Sequence, residues 1–339
     1  MKSNVLITGG LGYIGSHLYI SLINEGYNPI IVDDLSNSSK NILENLKRIT
    51  NLNKINFYYN KIQDTKSIKE IIINNKIESV FHLAGFKSIE ESNIFPYKYY
   101  NNNINSTLSL LDAMSKTDCN KIIFSSSACV YGNTSKAPVK EMDPLKPLNV
   151  YAQTKLICEN MINMTASLNS KIKFANLRYF NPAGAHESGF IGEHAQEISK
   201  NLFPVIANLA NKGGNELGIY GSDYNTPDGT PIRDYIHVMD LVEGHIKALN
   251  YISDNKESIT INLGTGKGIS VLEVINSYNK IAETKLNYVF KERRKGDAEC
   301  CYADTSLARE LINWSAKRNL EQIWSSIFKW NCEYPNGYD

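Results

Sequence analysis

Tyr151 and Lys155 stand four apart in the run NVYAQTKLICENMI, which has helix-forming composition and neither Gly nor Pro. That spacing sets both side chains on one helix face, about one turn apart. A phenol is a poor base at neutral pH, because its ordinary pKa is about 10. A neighbouring ammonium favours the phenolate and draws that pKa down. A Tyr/Lys pair in a cleft can therefore exchange protons with an alcohol near neutral pH. Ser127, in KIIFSSSACVYG, lies just past an apolar run at 121–125 that reads as a buried strand. Ligands of open parallel sheets bind beyond the C-terminal ends of their strands. Ser127 could hydrogen-bond the same hydroxyl that Tyr151 deprotonates. Any helix can carry a solvated Tyr and Lys four apart, so the weight of the pair comes from the elements around it.

The N-terminus supplies the strongest of these. NVLIT is a short apolar strand that runs into TGGLGYIGS, with Gly9, Gly12 and Gly15 spaced three apart, and residues 13–25 read as a helix. Strand, glycine turn and helix together make a dinucleotide site. Glycine lets the backbone turn tightly against a pyrophosphate, and the helix N-terminus favours the anion. A second strand at 29–32 ends at Asp33-Asp34, where the adenosine ribose hydroxyls belong. Carboxylates there suit NAD and repel the extra phosphate of NADP. Further strand runs fall at 56–59, 80–83, 121–125 and 174–177, with the longest helical patterns at 97–114 and 150–168. This alternation predicts an α/β fold with a doubly wound (Rossmann) parallel sheet. After NPAGA the pattern turns irregular and rich in Gly, Asn and Pro, which places a smaller substrate-binding lobe at 181–339 after a cofactor domain at 1–180. The helix at 238–250 and the strand at 259–263 are regular enough for 236–264 to rejoin the sheet.

Bulk properties narrow the class. A chain of 339 residues with 42% hydrophobic residues supports a sizeable core, and a net charge of +1 argues against a nucleic-acid or membrane surface. No stretch is apolar for long enough to span a bilayer, and MKSNVLITGG reads as a core strand rather than a signal peptide. The six cysteines show no Cys-x-x-Cys, and Cys300 and Cys301 are adjacent, which suits a reduced, cytoplasmic protein. The histidines form no metal-ligand pattern; His82 and His237 read as structural, and no metal is expected.

The glycine turn, Ser127 and Tyr151-x-x-x-Lys155 resemble the extended short-chain dehydrogenase/reductase family. FHLAGFKSIEES, YYNNNINSTLSLLDAM, SSSACVYG, LRYFNPAGAHESGFIGE, DGTPIRDYIHVMDL and RRKGDAECCYADTS narrow the resemblance, in that order along the chain, to the UDP-glucose (UDP-galactose) 4-epimerases. The resemblance implies cofactor contacts from Tyr13 and Ile14 in the glycine turn, Asp33, Asp34, Asn37 and Ser38 at the adenosine ribose, Ile62 at the third βα turn, Leu83, Ala84 and Lys87 after the fourth strand, and Asn102. It sets Ser127, Tyr151, Lys155 and Phe180 around the nicotinamide. For the UDP-sugar it implies Lys87, Asn181, Asn201, Leu202, the edge strand Gly218-Ile219-Tyr220, Arg233, Arg294 and Asp297. Arg233 and Arg294 suit a diphosphate. One departure concerns adenine. The family's acidic residue before the Ile of the third βα turn is Lys61 here, and Lys cannot accept a hydrogen bond. A backbone carbonyl or Asp64 is expected to replace it.

The implied chemistry is redox-neutral inversion at C4 of the sugar, with NAD retained. Two rivals remain from the residues: a 4,6-dehydratase or decarboxylase of the same family, and a non-enzymatic NAD-binding sensor. Dehydratases carry an acid/base pair where this chain has Ala128-Cys129. The resemblance also puts Cys301 beside the sugar's C2 substituent. A Tyr there accompanies enzymes confined to UDP-glucose and UDP-galactose, so the small Cys301 implies that UDP-GlcNAc and UDP-GalNAc are accepted too. Finally, the helices at 97–114 and 150–168 resemble those of a four-helix homodimer interface.

Overall fold

The protein is described by a computed structural model covering residues 2–134, 137–194, 201–212, 216–294 and 297–338. Its first half alternates strand and helix: β1 (Asn4–Thr8), α1 (Tyr13–Asn24), β2 (Asn28–Asp33), α2 (Ile42–Thr50), β3 (Phe57–Tyr59), α3 (Thr65–Asn74), β4 (Ser79–His82), α4 (Ile89–Ile94), α5 (Pro96–Tyr99), α6 (Asn105–Ser115), β5 (Lys121–Ser127), α7 (Val150–Leu168) and β6 (Lys173–Tyr179). The second half runs β7 (Asn181–Ala183), α8 (Leu202–Lys212), β8 (Leu217–Tyr220), β9 (Ile232–Arg233), β10 (Tyr235–His237), α9 (Val238–Asp254), β11 (Ile259–Leu263), β12 (Ile269–Ser270), α10 (Val271–Ile281), β13 (Tyr288–Lys291), β14 (Cys300–Cys301), α11 (Ser306–Ile312) and α12 (Leu320–Glu333).

Seven strands make one parallel sheet in the order β11-β6-β5-β4-β1-β2-β3. Its inner strands are apolar on both faces, as a sheet covered by helices on both sides requires. Val5 and Ile7 point into a layer with Leu18 and Leu241, while Leu6 points into the opposite layer with Ile68 and Leu110. The chain winds outward from β1 to β3, then returns to β4 and winds the other way. The strand order therefore reverses between β1 and β4, and a crevice opens beyond their C-terminal ends. The remaining strands form ribbons of two or three strands: β10-β7, β12-β9-β14 and β13-β8. These surround a separate apolar cluster that includes Phe203, Ile219, Tyr235, Val274 and Trp324.

Two elements differ from their sequence-based expectations. The helical stretch expected at 97–114 is interrupted by one π turn, Tyr100–Ile104, between α5 and α6. π turns commonly re-aim side chains at functional sites. Here the turn carries Asn103, whose amide bonds the backbone of Phe86 and the Thr154 hydroxyl. The strand expected at 121–125 continues to Ser127, paired with Leu177, Arg178 and Tyr179 of β6. Serine has little strand preference, but each buried hydroxyl finds a partner. Ser125 bonds Tyr179, Ser126 bonds Glu159, and Ser127 accepts from the Cys129 amide at 3.2 Å. Burial with satisfied polar groups overrides propensity.

Candidate active site

Ser127 ends β5, and Tyr151 and Lys155 lie in the first two turns of α7. Asn149 starts that helix where it does, because its side chain accepts from the Ala152 amide at 2.8 Å. The Tyr151 amide is held by the Ser92 hydroxyl at 3.1 Å. Burial pushes the Tyr151 phenol well above the ordinary tyrosine pKa, the neighbouring Cys129 and Tyr179 add to that rise, and Ser127, hydrogen-bonding to it, works against it. The Lys155 ammonium donates to the Ser125 carbonyl at 2.7 Å and lies 5.9 Å from the centre of the Tyr151 ring. Burial lowers its pKa to about 8. The spacing predicts that the ammonium draws the phenol pKa down; here burial wins and the phenol pKa rises, while the Lys155 ammonium bonds the Ser125 carbonyl.

The glycine turn closes against β4. A side chain on Gly9, which has a φ of +68°, would meet the Ala84 backbone at 2.9 Å, and one on Gly15 would meet the Gly9 carbonyl at 2.3 Å. Gly12 caps α1 without any side-chain hydrogen bond, so the amides of the first turn are left for a ligand. Asp33 is buried. Its carboxylate accepts from the Leu11 amide at 3.0 Å, the Leu35 amide at 2.9 Å and the Ser38 hydroxyl at 2.9 Å. One carboxylate thereby ties the glycine turn to the end of β2. Asp34 is half-buried and accepts from the Ser36 amide at 3.0 Å. Gly9, Gly12, Asp33, Asp34, Asn37, Ser38, Ile62, Leu83, Ala84 and Asn102 all line one cleft with about 630 Å³ of empty space. Gly15 is buried in α1, Ile14 packs against the apolar core, and the Tyr13 hydroxyl donates to the Gly184 carbonyl at 2.6 Å.

A second cavity, with about 1770 Å³ of empty space, is lined by Asn181, Asn201, Leu202, Gly218, Tyr220, Arg233, Arg294 and Asp297. Arg233 forms an ion pair with Asp297, and the Arg294 guanidinium lies 4.0 Å from the Tyr220 ring centre. Cys301 pairs with Arg233 in the β14/β9 ribbon and packs against the cluster of Ala128, Tyr131 and Phe180. Burial pushes its thiol up to about 12. Lys155 abuts Gly85 on the rim of the first cleft, since a side chain on Gly85 would come within 3.8 Å of its ammonium. Cys129 feels both Tyr151 and the Arg233–Asp297 pair of the second cavity. The catalytic candidates thus have Gly85 of the first cleft on one side, and Cys129 lies between Tyr151 and the charges of the second cavity.

Three lining or linking residues escape sequence reasoning. Gln63 lines the first cleft, with its amide nitrogen held by Asn102 at 3.1 Å. Asp64, expected to substitute for the missing acid at Lys61, is spent instead on capping α3 through Ser67. Lys291 lines the second cavity. Glu193 accepts from Lys87 at 2.8 Å and from Asn201 at 2.9 Å. Gln63 and Glu193 depend on partners distant in sequence, 39 and 106 residues away.

A family profile described as GDP-mannose 4,6 dehydratase matches residues 6–327. The chain is 43% identical to a UDP-glucose 4-epimerase of Bacillus subtilis over 334 residues, 98% of each chain. Its fold is similar to that of a UDP-glucose-4-epimerase from Stenotrophomonas maltophila with bound NAD and formylated UDP-arabinopyranose, with a TM-score of 0.95 and 38% identity over 98% of each chain. It is also similar to a UDP-Glc/GlcNAc 4-epimerase from Campylobacter jejuni, with a TM-score of 0.84 and 35% identity over 98% of this chain and 100% of that one.

Proposed function

This chain belongs to the extended short-chain dehydrogenase/reductase family and, within it, to the UDP-glucose 4-epimerases; on that premise we propose that it interconverts UDP-glucose and UDP-galactose, and also UDP-GlcNAc and UDP-GalNAc, with NAD retained. The observation that supports this is a Ser127–Tyr151–Lys155 cluster whose lysine ammonium lies beside Gly85 of the first cleft, together with a second cavity that presents Arg233, Arg294 and Asp297.

The cleft suits NAD through the uncapped amides of α1, the close approach that Gly9 permits, and the acids Asp33 and Asp34, which would repel a 2′-phosphate. Gln63 offers its side-chain oxygen to the adenine amino group in place of the missing acid. NAD held by this cleft would supply the acceptor, and then the donor, of the C4 hydride. Tyr151 removes the proton of the C4 hydroxyl and later gives it back, and Ser127 orders that hydroxyl. Lys155 keeps positive charge 5.9 Å from the centre of the Tyr151 ring, which works against the rise that burial imposes on the phenol. Arg233 and Arg294 hold the diphosphate and Asp297 the uridine ribose, while the 4-keto sugar turns over to present its other face. The 1–180 and 181–339 division follows these roles, with 236–264 counted with the sheet.

A dehydratase needs an acid and a base beyond β5. Ala128 has no titratable group, and burial pushes the Cys129 thiol above its ordinary pKa. Neither can move a proton to order at neutral pH, which favours epimerisation. Acceptance of N-acetyl sugars rests on Cys301, since a Tyr ring would fill the space an acetamido group needs. Assaying both sugar pairs on the wild type and Cys301→Tyr tests this: the variant should lose N-acetyl turnover and keep the plain hexoses. A wild type confined to the plain hexoses sinks the gatekeeper role. Purified protein should also carry NAD; activity appearing only with NADP would overturn the reading of Asp33 and Asp34.

The proposed state is a cytoplasmic homodimer. Its interface would be the apolar outer face of α6 and α7, where Leu108, Met164 and Leu168 are exposed beside Leu111, Ile157 and Met161. Mass measurement in solution at micromolar concentration decides, and a clean monomer refutes it.

A further inference from the structure

We propose that Glu193 is a positioning residue that couples the two halves of the site, holding Lys87 of the cofactor side and Asn201 of the substrate side on one carboxylate oxygen. The inference rests on the epimerase reading of these two cavities. Lys87 follows β4 in the loop beside the cofactor cleft, and Asn201 lines the substrate cavity just before α8. The same atom, Glu193 Oε1, accepts from the Lys87 ammonium at 2.8 Å and from the Asn201 amide at 2.9 Å. The Glu193 side chain is 6% exposed, against 51% for Lys87. Lys87 also lies 5.8 Å from the centre of the Tyr13 ring, next to the glycine turn.

The electrostatics explain why an acid can stand there. A shielded carboxylate between two diphosphates would repel both ligands. Paired with Lys87 it is neutralised, and Lys87 in turn is fixed instead of sweeping solvent on its flexible stem. The oxygen shared with Asn201 then makes the placement of the cation and of the amide a single event. Removing Glu193 takes this shared acceptor from two groups at once, one on each side of the cleft. The chemistry at C4 is untouched, because Tyr151 and Ser127 take no bond from this cluster. Loss of Glu193 should therefore appear in substrate binding and not in turnover.

The test uses the full-length protein with its retained cofactor. Glu193→Ala should raise KM for UDP-galactose roughly tenfold, the effect of about one charge-assisted hydrogen bond, with kcat within about twofold. Glu193→Gln keeps the volume and one acceptor, guards against misfolding, and should fall between wild type and Ala. The discriminating arms are Lys87→Met, Asn201→Ala and the pairs with Glu193→Ala. Coupling predicts that each double variant is no worse in KM than its more damaging single. Multiplying effects in the doubles, an unchanged KM in Glu193→Ala, or a kcat loss without a KM change would each overturn the proposal. Silence of Lys87→Met and Asn201→Ala themselves would sink the assignment of those two residues as ligand contacts, and the coupling with it. That failure is distinguishable, because the wild-type epimerase assay stands independently of it.

Discussion

On the cofactor side, several buried polar groups are answered by partners in the sheet and in the helices packed on it. Thr8 and Thr107 take the two ring nitrogens of His82 at 2.8 and 3.1 Å, and Ser126 and Arg178 both bond the buried Glu159. On the substrate side, beside the buried Asp234, charged pairs reach the cavity wall and the surface. Arg293 meets Asp223 with side chains 43% and 74% exposed, and Arg233 pairs with Asp297 at the cavity wall. The first arrangement is rigid, because each member is costly to leave unpaired. The second can exchange its internal partners for a ligand's oxygens at little cost. A retained cofactor and an exchanging, turning sugar call for that division.

The largest effect should come from the chemistry between the two sides. Tyr151→Phe removes the proton acceptor and should lower kcat by on the order of 10²–10⁴ while leaving bound NAD in place, as measured by release of nucleotide from denatured protein. Near-wild-type turnover would remove Tyr151 from its role.

Next comes the buried pair. Glu159→Ala leaves the Arg178 guanidinium without the carboxylate it meets at 2.7 Å, and it should cost about 3–5 kcal/mol of stability. Urea denaturation measures this, and a loss under about 1 kcal/mol would show that the cofactor side is no more tightly interlocked than a surface ion pair.

Histidines extend the contrast to pH. Burial lowers the pKa of His17 and His82 to about 3 and of His237 and His245 to about 4, from an ordinary 6.5. Below pH 6.5 the unfolded chain takes up protons that the folded chain refuses. Stability is therefore full above 6.5 and falls as pH drops toward the folded values, by up to about 1.4 kcal/mol per pH unit for each histidine. Burial raises the carboxyls of Asp33 and Asp234 from 3.8, and these act in the opposite sense at lower pH. Urea midpoints between pH 7.5 and 5.5 should fall, and a flat or rising midpoint would contradict the account. The smallest effect belongs to Asp223→Ala, which should leave the midpoint unchanged, since an exposed pair adds little. A clear loss there would erase the distinction between the two sides.

The same contrast governs what the sequence reveals. Gly9, Asp33, Ser127 and Tyr151 follow strand ends or helix starts, and their roles can be read from neighbours in the chain. β8 has only four residues, and its partner β13 begins 71 residues after β8 starts. No periodicity marks so short a strand, so only the family resemblance points to Gly218 and Tyr220. Glu159 and Arg178 lie 19 apart, Gln63 and Asn102 39 apart, and Lys87 and Glu193 106 apart. Such pairings are products of the tertiary fold, and nothing local announces them. The continuation of β5 through Ser127 belongs with these, because the hydroxyl partners that permit it come from β6 and α7.

The central claim is that one site removes and restores the same hydrogen at C4 while the nucleotide stays held. Turnover of UDP-galactose deuterated at C4, by purified protein with no added cofactor, tests it most directly. The account predicts UDP-glucose with the deuterium still at C4. Deuterium at C6 with loss of water would mark a dehydratase, deuterium lost to solvent would exclude internal return, and no turnover at all would leave a nucleotide-binding protein without the proposed chemistry.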